Sequence, residues 1–341
     1  MMSDSQFKLG LAFDDVLLEP RYSEIESRFS GDIDLSSLMG NYLIKFPIIS
    51  ANMDTTTEYE LALKMQELGG LGIIHRFMTP EKQYSMLSGL CPAVGCIGTG
   101  LEEQKRWLYI KPVSHMVLID VAHGHHKSVI DQIRWVREGS PEICIIAGNV
   151  ATEDGAYDLV EAGANIIKNG VGPGSVCDTR RQTGCGVPQL SAIIDVCKIK
   201  KYRPEIKIIA DGGIRFAGDC IKAIAAGADF VMIGNLFAGT TEAVGKIYRE
   251  NNFVYKIYRG LSSRESQLSW KGFAKSIEGE LTRVPYKGPV KEIFDDLIAS
   301  MLSGMSYQNA LNLAQLRENA VFIRQTSAGL IESSPHALRS R

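Results

Sequence analysis

Eight short apolar runs recur along the chain, most of them ending in or beside glycine. They are PIISANM (47–53), GLGIIH (70–75), AVGCIG (93–98), MVLIDVA (116–122), ICIIAGN (143–149), NIIKNG (165–170), IKIIADGG (206–213) and DFVMIGN (229–235). Each is rich in β-branched residues and continuous rather than alternating, as in a strand covered on both faces. Helical stretches lie between them. TEYELALKMQELGG (57–70) and TEDGAYDLVEAGA (152–164) open with Thr and acidic residues, as N-caps do, and end near Gly; GDCIKAIAAGA (218–228) ends in the same way. Strand-then-helix units in series predict a parallel sheet, and eight of them fit a closed α/β (β/α)8 TIM barrel better than an open sheet. No GxGxxG joins a strand to a helix, which argues against a dinucleotide-binding Rossmann half. Two stretches stand outside the repeat: a Gly-rich loop over 169–189 and a polar excursion over 250–290. Helical stretches around 290–302 and 306–316 then precede a tail ending HALRSR.

Composition narrows the class. A length of 341 residues suits one large barrel, read here as a single domain over 1–341. A net charge of −2 gives no global attraction to nucleic acid or an acidic membrane. No apolar run reaches the roughly 18 residues that span a bilayer, and the start MMSDSQFKLG lacks the features of a secretory signal. Seven scattered cysteines with no CxxC pair argue against a disulfide framework or a zinc site and for a reducing cytoplasm.

In a barrel of this kind the site is built at the C-terminal ends of the strands. The polar residues there are Asn52, Asp54, His75, Arg76, Asp120, Asn149, Lys168, Asn169, Asp211 and Asn235, enough to suggest a pocket for a polar ligand. GVGPGS (170–175) offers backbone N–H groups without bulky side chains, suited to a phosphate, or carbonyls suited to a cation. Cys177 follows, with Arg180 and Arg181 close behind, and positive charge favours a reactive thiolate. The other six cysteines lie in or near apolar segments; Cys96 and Cys144 read as buried, inert thiols, and Cys185, in a GCG turn, as a small buried residue. ADGGIR (210–215) and MIGN (232–235) read either as a phosphate site after strands seven and eight or as tight turns only. Asp211 would suit ribose hydroxyls, not phosphate.

These motifs together resemble the IMP dehydrogenase/GMP reductase family. FDDVLLEP (13–20), ANMDT (51–55), IDVAHG (119–124), AGNVAT (147–152), GVGPGSVC (170–177), GVPQL (186–190), GADFVMIG (227–234), YRGLSS (258–263) and RVPYKGP (283–289) are collinear with it, and the resemblance runs to about residue 336. It implies a purine-nucleotide oxidoreductase whose nucleophile, Cys177, attacks C2 of the base. It also implies a choice between two reactions: NADPH-dependent deamination of GMP to IMP and ammonia, or oxidation of IMP with NAD and water to XMP. The accessory CBS insertion of many dehydrogenases is missing, because GIIHRF (72–77) reaches AVGCIG through one short helix. The flap segment SRESQLSWKGFAKS (263–276) lacks the dehydrogenase's Arg-Tyr pair, whose Arg activates the hydrolytic water. HRFMTPE (75–81) and SAGLIESSPH (327–336) look more like dehydrogenases. The balance favours a GMP reductase, with the dehydrogenase as alternative and a catalytically silent nucleotide-binding protein as a remote third.

The resemblance further implies roles by position. Thr179 and Glu278 join Cys177 in catalysis, Glu278 supplying a proton through the Thr179 hydroxyl. GMP is expected along Ser175, Asp211, Gly212, Gly213, Gly234 and Asn235, with Leu261, Ser262 and Ser263 beyond and the base near Lys275, Ser276, Ile277 and Gly279. NADPH is expected near Arg76, Asp120, Val121, Ala122, Val171 and Gly172. Ser27, Arg28, Ser303, Gly304, Met305 and Ser306 are expected from an adjoining subunit of a homotetramer. The carbonyls of Gly172, Gly174 and Cys177 are the expected seat of a monovalent cation such as potassium. Neither nucleic acid nor a membrane is expected as a partner.

Overall fold

The computed structural model describes residues 7–29, 31–333 and 335; the first six residues, residue 30, residue 334 and the whole HALRSR tail lie outside them. Three short strands come first. β1 (Val16–Leu18) pairs antiparallel with a late strand, β15 (Phe322–Arg324), fastening the C-terminal part to the N-terminal part. β2 (Ser37–Met39) and β3 (Tyr42–Ile44) form a hairpin whose Met39 and Ile44 are buried with the strand interiors described next.

The eight apolar runs form β4 (Ile48–Ser50), β5 (Leu71–Gly72), β6 (Val94–Ile97), β7 (Met116–Asp120), β8 (Cys144–Val150), β9 (Ile166–Asn169), β10 (Lys207–Asp211) and β11 (Phe230–Ile233). They pair in the order β5-β4-β11-β10-β9-β8-β7-β6, every pair parallel, and helices alternate with them: a (β/α)8 barrel. The continuous apolarity has a direct cause. Met116, Leu118, Ile146 and Ile209 point into the barrel, while Val117, Ile119, Ile145, Ala147 and Ile208 point out at the helices, so both faces are dry. At the seam between β5 and β6, Gln83 donates to the Cys96 carbonyl at 2.9 Å and accepts from Arg106 at 3.0 Å, which gives a buried backbone oxygen a side-chain partner.

The helices are α1 (Tyr59–Glu67), α2 (Pro80–Leu87), α3 (Leu101–Ile110), α4 (Lys127–Gly139), α5 (Glu153–Glu161), α6 (Thr179–Thr183), α7 (Gln189–Val196), α8 (Ala217–Ala225), α9 (Arg264–Lys271), α10 (Val290–Tyr307), α11 (Leu313–Asn319) and α12 (Ser327–Glu332). Thr152 caps α5 as expected, accepting from Gly155 N–H at 3.2 Å. Thr57 does not cap α1; its hydroxyl is buried and donates to the Ala51 carbonyl, tying the helix entrance to β4. The stretches expected at 290–302 and 306–316 differ too, because α10 runs unbroken through 303–306. Gly304, within that helix, lies against Ile221 of α8, where a Cβ would come within 2.9 Å. The excursion over 250–290 is also more ordered than its polarity suggests. β12 (Tyr248–Glu250), β13 (Phe253–Arg259) and β14 (Leu281–Pro285) form an antiparallel sheet with α9 between the last two strands. Its buried Tyr255, Tyr258 and Val284 give that sheet a core. No helix among the described residues is long and apolar enough to cross a membrane.

Candidate active site

A cleft crosses the barrel mouth at the C-terminal strand ends. It has two hollows with a common wall of Met53, Pro173, Gly174, Asp211 and Tyr258. Five strand-end polar residues form its floor as one charged network. Lys168, at the end of β9, has a side chain only 4 % exposed; its Nζ lies 3.0 Å from Asp120 Oδ1 and 2.5 Å from Asp211 Oδ2. Asn52 donates to the other Asp120 oxygen at 2.9 Å, and Asn149 donates to Asp211 Oδ2 at 2.9 Å. Burial pushes the Asp120 carboxyl up, but the Lys168 and Arg76 cations and these hydrogen bonds outweigh it and hold it below the usual carboxylate range. Burial likewise works against the Lys168 ammonium, and the two carboxylates win, raising it above an ordinary lysine.

Above this floor the Gly-rich loop and the flap are laced together by backbone. Asp178 N–H donates to the Glu278 carbonyl at 2.8 Å, Glu280 N–H to Val176 at 2.9 Å, and Glu278 N–H to Ser262 at 3.2 Å. Cys177 thus faces Gly279 across an antiparallel bridge. Glycine is required here: a Cβ on Gly279 would come within 2.8 Å of the Ser263 nitrogen. At the loop entrance Gly170 has φ +139°, and a Cβ there would meet the Asp211 carbonyl at 2.2 Å. Cys177 is exposed, its Sγ 3.2 Å from the Thr179 hydroxyl, and Cys177, Thr179 and Glu278 line the same hollow. A thiol, a hydroxyl and a carboxyl converging on one space can attack an electrophilic carbon and deliver a proton to its leaving group.

The expected ligand residues fall into groups. Ser175, Asp211, Gly212, Gly213, Gly234 and Asn235 line the hollow over β10 and β11, and Leu261 and Ser262 line the one holding Cys177. Ser263 is buried and caps α9, accepting from Ser266 N–H at 3.2 Å. Lys275, Ser276 and Ile277 are exposed on the flap and line neither hollow. Arg76, Asp120, Val121, Ala122 and Gly172 line the Cys177 hollow, whereas Val171 does not. Arg28 donates to the Ser303 hydroxyl at 2.6 Å, so the Ser27–Arg28 segment and α10 meet within one chain, away from this cleft. Gly304 packs on α8, Met305 is fully buried, and Ser306 donates to the Ser303 carbonyl. Of the cation carbonyls, that of Gly174 accepts from Cys177 N–H at 3.1 Å.

Other strand-end residues serve the scaffold. His75 lies 3.3 Å from Glu58, and Asp54 Oδ2 accepts from Arg259 at 2.6 Å and from Ser266 at 3.0 Å, gripping the flap rather than facing a ligand. Cys96 is buried, which pushes its thiol far up, and burial pushes half-buried Cys144 up to about 11. Cys185 is exposed, contrary to expectation, because its turn projects beyond the left-handed Gly184 that ends α6. Sequence reasoning missed Tyr258. Its hydroxyl accepts from Ser175 at 3.4 Å and burial pushes it up to about 12. Only its place before RGLSS pointed to it.

Comparison with known proteins shows the family. Residues 10–336 match the family described as "IMP dehydrogenase / GMP reductase domain". The chain is 32% identical to the inosine-5'-monophosphate dehydrogenase of Nitrosopumilus maritimus over 472 aligned residues, covering 97% of this chain and 99% of that protein. It is 34% identical to the enzyme of that name from Bacillus subtilis over 483 residues, covering 98% and 97%. The first alignment exceeds the 341-residue chain by 131 positions, so that relative carries at least that many residues this chain lacks.

Proposed function

Because the chain belongs to the IMP dehydrogenase/GMP reductase family, we propose that it is a purine-nucleotide oxidoreductase running the family's reductive reaction, GMP to IMP and ammonia. The observation that carries this direction is the flap. Between Ser263 and Glu278 it is one eight-residue helix and a short return, with no Arg-Tyr pair. Its one arginine, Arg264, is exposed and lines neither hollow, so the flap offers no guanidinium to activate water beside Cys177.

In this reading the nucleotide lies over β10 and β11 with its ribose at Asp211, and Cys177 Sγ bonds to C2 of the purine. The C2–N bond then breaks, and the amino group leaves as ammonia on a proton that Glu278 supplies through Thr179. NADPH, when bound, supplies the hydride that C2 accepts as the carbon–sulfur bond breaks and its electrons return to Cys177. Arg76 and Asp120–Ala122 would hold that cofactor. The fit rests on the Arg76 Nε, a buried donor without a hydrogen-bond partner among the described residues, in the same hollow. The carbonyls of Gly172, Gly174 and Cys177 would hold a monovalent cation, a neutral all-oxygen donor set suited to one. A cytoplasmic homotetramer of one barrel per chain, without the accessory insertion, completes the proposal. α2 alone joins β5 to β6, and the shortfall against the relatives supports that last part.

A second reading has its own support: the relatives above are named inosine-5'-monophosphate dehydrogenase. In that case the Cys177 adduct forms from IMP, hydride goes to NAD, and water releases XMP. Offering the purified protein each substrate pair separates the readings: GMP-dependent loss of NADPH with IMP and ammonia as products supports the first, and XMP accumulating from IMP and NAD supports the second.

A further inference from the structure

The flap helix α9 is held to the barrel at two points. One is polar: Asp54 Oδ2 accepts from Arg259 and from Ser266. The other is a stack near the end of α9, where the Trp270 indole meets Phe77 edge-on at 5.1 Å. The Arg76 guanidinium lies 5.7 Å from the Trp270 ring and 4.8 Å from the Phe77 ring. Arg76 also lies 3.8 Å from Glu103 and lines the Cys177 hollow, so one side chain belongs to both the flap contact and the cleft wall.

The same helix sets the route to Glu278. Gln267, buried one turn before Trp270, donates to the Ser262 carbonyl at 3.1 Å and accepts from Lys275 N–H at 2.9 Å. Glu278 lies three residues beyond Lys275 and is pinned to the same Ser262 carbonyl. A shift of α9 off Phe77 and Arg76 therefore moves the return segment that presents Glu278 and releases one wall of Arg76.

From this we propose that Trp270 is a positioning residue, a latch that seats the flap and, through Arg76, sets the affinity of the cleft for the anionic nicotinamide dinucleotide. Trp270 itself lines neither hollow of the cleft. The inference rests on the cleft being a nicotinamide-dependent site, but not on the direction of the reaction. The Trp270 N–H is buried without a hydrogen-bond partner among the described residues, so the ring face and edge, rather than the N–H, make the contact.

Two variants test it, assayed as full-length protein with whichever substrate pair the wild type turns over. A cation–π contact and an aromatic pair together suggest about a ten-fold effect. Trp270→Ala should raise KM for the dinucleotide and lower kcat by about that factor each, leave KM for the purine nucleotide within about two-fold, and leave the thermal midpoint unchanged. Trp270→Phe keeps the stack and should restore both constants. Energy transfer from indole to the reduced dinucleotide should fall in Trp270→Phe relative to wild type, with Trp107 and Trp135 retained. Three results would overturn the latch: Trp270→Ala with unchanged constants, an equal rise in both KM values, or a Trp270→Phe as impaired as the Ala variant, which would make the N–H a direct ligand donor. A wild type inactive with either substrate pair would instead defeat the functional reading.

Discussion

Replacing Lys168 by Met removes the cation that makes the cleft floor possible. Its ammonium lies 3.0 Å from Asp120 and 2.5 Å from Asp211, with 4 % of the side chain exposed. A unit pair near 3 Å is worth about 5–6 kcal/mol at an effective dielectric of about 20. Losing the burial cost of the ammonium offsets part of that. What remains is the cost of breaking a buried ionic cluster, about 3–5 kcal/mol, or about 1–1.7 M in urea midpoint at a slope of about 3 kcal/mol/M. The pH dependence follows from Asp120. In the wild type its carboxyl is held below the ordinary range, so the stability it contributes is present above its unfolded pKa and is lost as pH falls through the folded value. In the variant burial acts without Lys168, the carboxyl rises, and protonation relieves it. The deficit should therefore be largest at pH 7–8 and shrink toward about pH 5. Urea unfolding followed by far-UV circular dichroism at several pH values reads this directly. A deficit below about 1 kcal/mol, or one constant across that range, refutes the charged-network account.

The remaining predictions concern single side chains. Cys177→Ala should lower turnover by about 10⁴-fold or more while nucleotide affinity, measured by calorimetry, stays near wild type. Iodoacetamide should label exposed Cys91, Cys177 and Cys185 before buried Cys96, with nucleotide protecting Cys177 and not Cys91. Glu278→Gln should slow ammonia release by about 10²–10⁴-fold in single-turnover mixing yet still permit adduct formation from IMP and NADP; equal slowing of both steps would make Glu278 a flap tie rather than a proton donor. Burial lowers Lys287 to about 8 while its Nζ donates to the Asn235 carbonyl at 2.6 Å. The unfolded chain then holds more protons between about pH 8 and 10.5, so wild-type stability should climb relative to Lys287→Met across that window, as thermal midpoints would show.

The barrel was legible because a strand dry on both faces leaves a signature that no surface element imitates, and all eight runs became strands. The convergence of Cys177, Thr179 and Glu278 followed from motif likeness rather than spacing, since Glu278 reaches the site only through the backbone ladder at 176–178. What stayed hidden was pairing. Asp54, His75 and Arg76 looked alike as strand-end polar residues, yet Asp54 grips Arg259, His75 faces Glu58, and only Arg76 reaches the cleft. Those choices are made by partners up to 212 positions away, which no local pattern encodes. The flap sheet escaped for a related reason: its strands are half-exposed and polar, and only Tyr255, Tyr258 and Val284 carry its core.

The central claim is the direction of a Cys177-dependent reaction, and parallel assays of the purified wild type test it most directly. One contains GMP and NADPH, the other IMP and NAD, each followed by nicotinamide absorbance with product identified by chromatography. The account predicts NADPH consumption that requires GMP and yields IMP and ammonia in equal amounts. Sustained NADH formation with XMP accumulating, and no GMP-dependent consumption of NADPH, would contradict it.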